Sequence, residues 1–433
     1  MTANLRPVNI QELRQLLATI DREQNRIQEL LSFLGYALRS IGNINQLLEL
    51  VPLIASTVTE ADGSILLLFK HQDPRHLRSI HCLDRQGRPS AQLQASLERA
   101  YQEGYIDSQE AWDRQVGTEV GFHTQVFGAP ILLGEECHGR LYVYSRNPHY
   151  TWTHTRHRLI RLIADQTALG LENTALALAV QEKKRQDQQL EISAEIQHQL
   201  FPHNFPQIPG VQIAAQYYTA DRVGGDYYDF IAIPNKNRWA FVIGDVMGKG
   251  VPAGLIMTMT RGMLRAEVLN GHGPARILEH LNQIMYDDLD RSRRFVTLFY
   301  SEYDASDQTL TFSNAAHMPA LLWRYQSKTL QTLDTIGSII GLAPNSEYVQ
   351  DQVQLLPGDV VFFYTDGITD AANPYGARFD EENLRLAIQR ACSRSGFSAQ
   401  SVLDEVFKSV HNFIQPLQKQ EDDMTIVVLQ IQR

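Results

Sequence analysis

The sequence predicts an α+β protein of two domains, and three observations lead there. Apolar strand-like runs are short and bounded by turn residues, as at Ser64–Lys70 (SILLLFK), Trp239–Ile243, Val360–Tyr364 and Ile426–Leu429. Helical segments fall in adjacent pairs, Pro252–Val268 with Ala275–Leu289 and Glu381–Ala391 with Ala399–Phe413. Such pairing argues for an antiparallel sandwich with helices outside and against a doubly wound sheet, where helices and strands would alternate. A helical stretch with few breakers, Thr155 to about Leu200, stops at Phe201-Pro202. Pro206 and Pro209-Gly210 follow, making this the clearest boundary in the chain.

Size and composition bound the function classes. At about 150 residues per domain, 433 residues correspond to two or three units. Hydrophobic content of 43% and charged content of 20% are ordinary for a soluble globular chain. A formal charge of -10 gives no ground for expecting a nucleic-acid partner. Cys82, Cys137 and Cys392 are far apart and lack metal-like spacing, which fits reduced thiols in a cytoplasmic protein. No run approaches the roughly 18 apolar residues of a membrane helix, and the start, MTANLRPVNIQELRQL, lacks the apolar core of a signal peptide, so no direct membrane insertion is expected.

In chain order, residues 1–24 form an N-terminal helical segment, with Ile10–Leu34 reading as helix and Gly42-Asn43 breaking it. Ile44–Ala61 is a second amphipathic helix containing Pro52, and strand-like runs follow at Ser64–Lys70 and Leu77–Leu83. Leu93–Glu103 is helical. Gln125–Val143 holds a strand and the turn Gly134-Glu135-Glu136, with Arg140–Tyr144 as the next strand. Residues 25–154 are therefore one α+β domain, 155–200 a helical linker and 201–433 the second domain. In the linker, Leu162, Leu169, Leu176 and Leu190 recur in sevens with Lys183 at the missing step, the spacing of a helical hairpin seam or a parallel coiled coil. Asn173 and Asp187 interrupt the companion position, so a long zipper is not expected, and a connector helix packed on its neighbours is the alternative.

Beyond the boundary, strands are expected at Val211–Tyr217, Asp229–Ile233, Arg238–Gly244, Phe295–Tyr303, Thr309–Ser313, Ala320–Arg324, Gln352–Leu356, Asp359–Tyr364 and Thr425–Gln430. Acidic residues sit at several of their ends. Asp226 follows Gly224-Gly225. Asp245 follows an apolar run and precedes the turn Gly248-Lys249-Gly250. Asp366 ends another run, and Asp422-Asp423 immediately precede the last. One such Asp is as often a helix cap or turn residue as a ligand. Several gathered in a β-rich domain repel one another unless a cation neutralises them, and oxygen-only donors favour Mg²⁺ or Mn²⁺ over Zn²⁺. Two ions can orient a water, lower its pKa and clamp a phosphoryl group.

From about residue 190 to 433 the chain resembles the metal-dependent Ser/Thr protein phosphatase (PPM) family, in its bacterial sporulation and stress-response branch. The resemblance rests on IQHQLFP at 196–202, VGGDYYD at 223–229, GDVMGKG at 244–250, FVTLFY at 295–300, NAAHMPA at 314–320, YTDGITD at 364–370 and DDMTIVVL at 422–429, in that order. It implies an αββα sandwich that hydrolyses phosphoserine or phosphothreonine on a partner protein of the anti-sigma-factor-antagonist type. It also implies two Mn²⁺ or Mg²⁺ ions. Asp245 would bridge them, Asp226 and the carbonyl of Val246 would complete one, and Asp366 and Asp422 the other. Asp423 is expected to support its neighbours and Asp229 to support a turn. Lys249 is left between a phosphate contact and a solvated turn lysine. His317 is read as structural, with a general-acid role the alternative, and Arg222 as a lesser candidate for phosphate contact. Met247 and Lys249 depart from the residues this branch often carries after the bridging Asp, without removing a ligand. The alternatives are a catalytically inactive partner-binding pseudophosphatase and a phosphometabolite hydrolase.

Residues 25–178 resemble a GAF sensory domain in layout, through LLELVPLIASTVTEADGSILLLF at 47–69, VFGAPILLGEECHGRLYVYS at 126–145 and LIADQTALGLENTALAL at 162–178. The resemblance implies an α/β sensor that regulates the phosphatase and forms a homodimer with the linker helix. Its ligand, if any, is unidentified.

Overall fold

The computed structural model describes residues 44–433 apart from 71, 72, 105, 107, 235, 236 and 415–419. The helix expected at Ile10–Leu34 lies outside the described residues. The chain divides into two compact units, Met1–Lys184 and Arg185–Arg433.

The first unit is built on one antiparallel sheet of β1 (Gly63–Lys70), β2 (Asp73–Asp84), β3 (Gln125–Leu133) and β4 (Glu136–Ser145), in the order β2-β1-β4-β3. β1 is apolar at almost every position because both faces of the sheet are covered. Alternate residues go to opposite sides. Leu66 and Leu68 join Val51 and Ala55 of helix α1 (Ile44–Thr59) and Ile160 and Ile163 of α4 (His154–Leu200). Ile65 and Leu67 meet Leu97 of α2 (Ala91–Gln102) and Trp112 of α3 (Gln109–Val120). Helix α3 escaped the sequence reading, since QEAWDRQVGTEV is mostly polar and buries only Ala111, Trp112, Val116 and Val120. It is capped by Ser108, whose side chain accepts from the Ala111 N–H.

The second unit is the expected two-sheet sandwich. One sheet holds five strands and the other five, and neighbouring strands pair antiparallel, in the orders β11 (Thr329–Leu333), β10 (Ala320–Arg324), β13 (Val360–Tyr364), β14 (Met424–Ile431), β5 (Val211–Tyr218) and β12 (Gln350–Gln354), β9 (Thr309–Ala315), β8 (Val296–Asp304), β7 (Arg238–Val246), β6 (Tyr227–Ile233). β13 is buried along its whole length and divides by parity. Val361 and Phe363 enter the larger core with the other sheet, while Val360, Phe362 and Tyr364 pack with α7 (Asp380–Cys392) and α8 (Ala399–Ile414). On the other side, α5 (Val251–Val268) and α6 (Pro274–Ser292) cover β6–β9 through Met257, Leu264, Ile277, Leu281 and Met285. Edge strand β11, TLQTL, was missed in the sequence because only Leu333 is buried and the alternation is weak.

Candidate active site

The sandwich brings Asp226, Asp245, Asp366, Asp422 and Asp423 to one end of the two sheets. Asp245 lies near the end of β7, Asp366 directly after β13, and Asp422 and Asp423 just before β14. Antiparallel pairing of β13 with β14 places the Asp366 end of one strand against the Asp422–Asp423 end of the other, with Tyr364 opposite Ile426. Asp226 opens β6, whose Tyr227 is paired with Gly244 of β7. Strand register thus gathers carboxylates that are up to two hundred residues apart in sequence.

Each carboxylate has its own supports. Asp226 is buried, and its Oδ2 accepts from Thr365 Oγ1 at 2.8 Å and from Thr425 Oγ1. Gly225 makes room for the approach, since a Cβ there would stand 2.8 Å from the Val246 carbonyl and 3.2 Å from Asp245 Oδ1. The Asp423 carboxylate accepts from the Ala220 N–H at 2.8 Å and the Gly225 N–H at 2.7 Å, so it ties the 220–225 loop to β14 as a supporting neighbour. Lys249 approaches Asp422, its Nζ 3.4 Å from Oδ1, and also donates to the Glu421 carbonyl. Arg294 holds the loop after Asp245 by donating to the Met247 carbonyl at 2.5 Å.

The electrostatics are those of charges crowded together. Burial raises Asp226 well above the ordinary carboxylate range, aided by Asp245 and Asp423. Asp245 is pushed up to about 8 by burial and by Asp366, Asp422 and Asp423. Asp366 is raised by burial, then by Asp422 and Asp370. Asp423 is raised chiefly by burial. A site that penalises its own negative charge is chemically matched to divalent cations, and its donors are all oxygen. Beside it opens a cleft of about 500 Å³ lined by Lys249, Gly367, Asp370, Arg378 and Asp422.

Other sequence candidates resolve differently. His317 is buried, its Nδ1 2.9 Å from Thr297 Oγ1, and its backbone N–H donates to Asn314 Oδ1 at 2.9 Å. Burial pulls it down to about 4, which leaves the ring neutral at pH 7, and the turn itself is closed by the Asn314 amide on the His317 backbone, where the sequence reading gave that task to the imidazole. Arg222 turns from the carboxylates to α4, donating to the Asp187 carbonyl at 2.7 Å and lying 3.6 Å from Glu191 Oε2. Asp229 does not support a turn. It lies inside β6, fully buried, and its two oxygens accept from Arg265 of α5 at 2.6 and 2.8 Å and from Tyr227 Oη at 2.9 Å. The turn expectation failed because the strand begins earlier than the apolar pattern suggested.

Sequence reasoning also missed Gln197. At the end of α4, its Nε2 donates to the Gly224 carbonyl at 2.7 Å and its Oε1 accepts from the Gly224 N–H at 3.0 Å. This buried amide completes both backbone groups of a residue two positions from Asp226. The only available signal was its place within IQHQLFP. Missed as well was a cluster of mixed chemistry. Among the described residues, Glu267, His272 and His280 bring ligand atoms within 4.8 Å of one another and could hold a metal ion.

Comparison with known proteins bears on this site. Residues 235–432 match the family model described as Stage II sporulation protein E (SpoIIE). The chain is 29% identical over 241 residues to phosphoserine phosphatase RsbU of Bacillus subtilis, covering 56% of this chain and 69% of that protein. It is 27% identical over 274 residues to protein IcfG of Synechocystis, covering 57% of this chain but 42% of that one, less than half its length. The SiaA-PP2C domain of Pseudomonas aeruginosa shares the fold, with a TM-score of 0.50 at 21% identity over 57% of this chain and 98% of that domain.

Proposed function

We propose, from the premise that the C-terminal unit is a SpoIIE/RsbU-like, metal-dependent Ser/Thr phosphatase domain of the PPM family, that this chain removes phosphate from phosphoserine or phosphothreonine on an anti-sigma-factor antagonist. The observation behind this reading is the gathering of Asp226, Asp245, Asp366, Asp422 and Asp423 at one end of the sandwich, beside a cleft that Asp422 lines. On this reading Asp226, Asp245, Asp366, Asp422 and the Val246 carbonyl would hold two Mn²⁺ or Mg²⁺ ions. Bound ions of this kind activate water and offset charge on a phosphoryl group.

The chain's own residues prepare that chemistry. Thr365 and Thr425 hold Asp226 Oδ2, so the carboxylate is oriented before any ion arrives. Asp423 and Gln197 pin the loop that carries Asp226. Lys249, beside Asp422 at the cleft, brings positive charge to the place where a phosphoryl group would enter. His317 is neutral at pH 7, so its ring carries no second proton to give to the leaving oxygen.

The first unit is read as a GAF-like sensor regulating this activity, and α4 as the linker through which two copies pair. Support comes from the four-stranded sheet with helices on both faces and from Leu169 and Leu176, exposed at 49% and 56% on α4. No helix among the described residues is long and apolar enough to cross a membrane. A cytoplasmic site of action is part of the proposal. The deciding measurement is Mn²⁺-dependent phosphate release from a phosphoserine peptide, with Asp245→Asn as control. Turnover should fall at least about a hundredfold in the variant, together with Mn²⁺ binding, and unchanged turnover would remove the assignment.

A further inference from the structure

We infer that Glu267, His272 and His280 form a separate binding site for a transition-metal dication of the Zn²⁺ type, stapling the end of α5 to α6. The Nδ1 atoms of both imidazoles point at one oxygen, Glu267 Oε1, at 2.8 Å from His272 and 2.6 Å from His280. The other oxygen, Oε2, accepts from Asn270 Nδ2 at 2.8 Å, which fixes the carboxylate plane from behind. Glu267 is buried, and the two rings meet edge to face with centroids 5.0 Å apart. The three side chains are brought together by the turn between the helices, where Gly271 adopts φ 70° and sends the chain back so that His272 faces the last turn of α5.

Donor chemistry selects the ion. Two imidazoles and a carboxylate are the donor set of Zn²⁺, Co²⁺ or Cu²⁺ sites, whereas the Asp cluster offers only oxygen to Mg²⁺ or Mn²⁺. In a tetrahedral site with bonds of about 2.0–2.1 Å, neighbouring ligand atoms stand roughly 3.3 Å apart. The contacts must therefore open by about 0.5 Å at His272 and about 0.7 Å at His280, whose side chains are 40% and 22% exposed and free to turn on the solvent side. A fourth position is left for water or an added ligand. The site is distinct from the phosphatase centre. Asp245 precedes the start of α5 and Glu267 lies in its last turn, about 24 Å farther along the helix at 1.5 Å per residue. Occupancy would fix the register of α5 against α6 and stabilise the helical layer over β6–β9.

The test uses full-length Asp245→Asn protein, stripped with chelator, so that the carboxylate centre is weakened. Titration with Zn²⁺ should give one tight equivalent per chain, and Co²⁺ should give the visible absorption of a four- or five-coordinate ion. Adding His272→Gln and His280→Gln should weaken that equivalent by more than about tenfold and abolish the absorption. In the otherwise wild-type chain, the same two substitutions should leave Mn²⁺-dependent phosphate release within about twofold, which shows that the domain is folded. A single Glu267→Gln variant, which keeps the shape of the side chain, should also lose the tight equivalent. Equal Zn²⁺ binding with and without the histidines, or no tight equivalent in the parent protein, overturns the inference. Because the readout is bound Zn²⁺, this result is separable from failure of the phosphatase reading.

Discussion

When no cation is supplied, Asp245 holds its proton up to about pH 8, because burial and the nearby Asp366, Asp422 and Asp423 disfavour its charge. The folded pKa lies above the ordinary value of 3.8, so the folded state binds a proton that the unfolded chain releases. The stability this confers is fully present below about pH 4 and is lost as pH rises through about 8. Asp226, Asp366 and Asp423 shift in the same direction. In chelator, the melting temperature of the second unit should therefore fall between about pH 5 and pH 8, and Mn²⁺ should restore it. Asp245→Asn, neutral at every pH, should flatten that decline and exceed wild type at about pH 8 by at least about 1.4 kcal/mol, the equivalent of one pKa unit. A flat wild-type profile in chelator would contradict this crowding of carboxylates. The identities of these carboxylates were readable from their positions at strand ends. Their supports were not, because Thr365, Thr425 and Gln197 reach Asp226 or its loop only after distant strands and a helix have packed.

Among the elements, the last turns of α4 and the 220–225 loop form one assembly within the second unit. Phe201, following the helix, packs its ring 4.6 Å from that of Tyr217 and 5.2 Å from that of Tyr228. Arg222 is held by Asp187 and Glu191, and Gln197 closes both backbone groups of Gly224. Removing that amide leaves a buried N–H and C=O without partners, a cost of about 1–3 kcal/mol. Gln197→Ala should raise the Mn²⁺ concentration needed for half-maximal phosphate release about tenfold or more while leaving the rate at saturating Mn²⁺ within a few fold. An unchanged Mn²⁺ requirement would reduce Gln197 to a packing residue. Long amphipathic helices and apolar strands were legible from periodicity alone. Helix α3 and edge strand β11 were not, since each buries few residues and is defined by neighbours in space.

For the whole molecule, the proposed regulation requires that the first unit act on the second through the linker. The second unit begins at Arg185, so a fragment of residues 185–433 keeps Asp187 and Glu191 for Arg222 as well as the Gln197 clamp. Its phosphate release at fixed Mn²⁺ should differ from that of the full chain by more than about threefold, the equivalent of ~0.7 kcal/mol of coupling. Equal rates, with and without a partner or ligand of the first unit, would count against coupling. What the sequence determined by itself was the order of the strongly patterned strands and helices, the sandwich class and the acidic residues at strand ends, because hydrophobic period and turn chemistry are local properties. Only the tertiary structure decided which groups hold those carboxylates, that His317 is neutral and Asp229 an anchor for α5, and that Glu267 meets His272 and His280. Those outcomes depend on burial, register and helix packing between residues far apart in the chain, where a local pattern carries no signal.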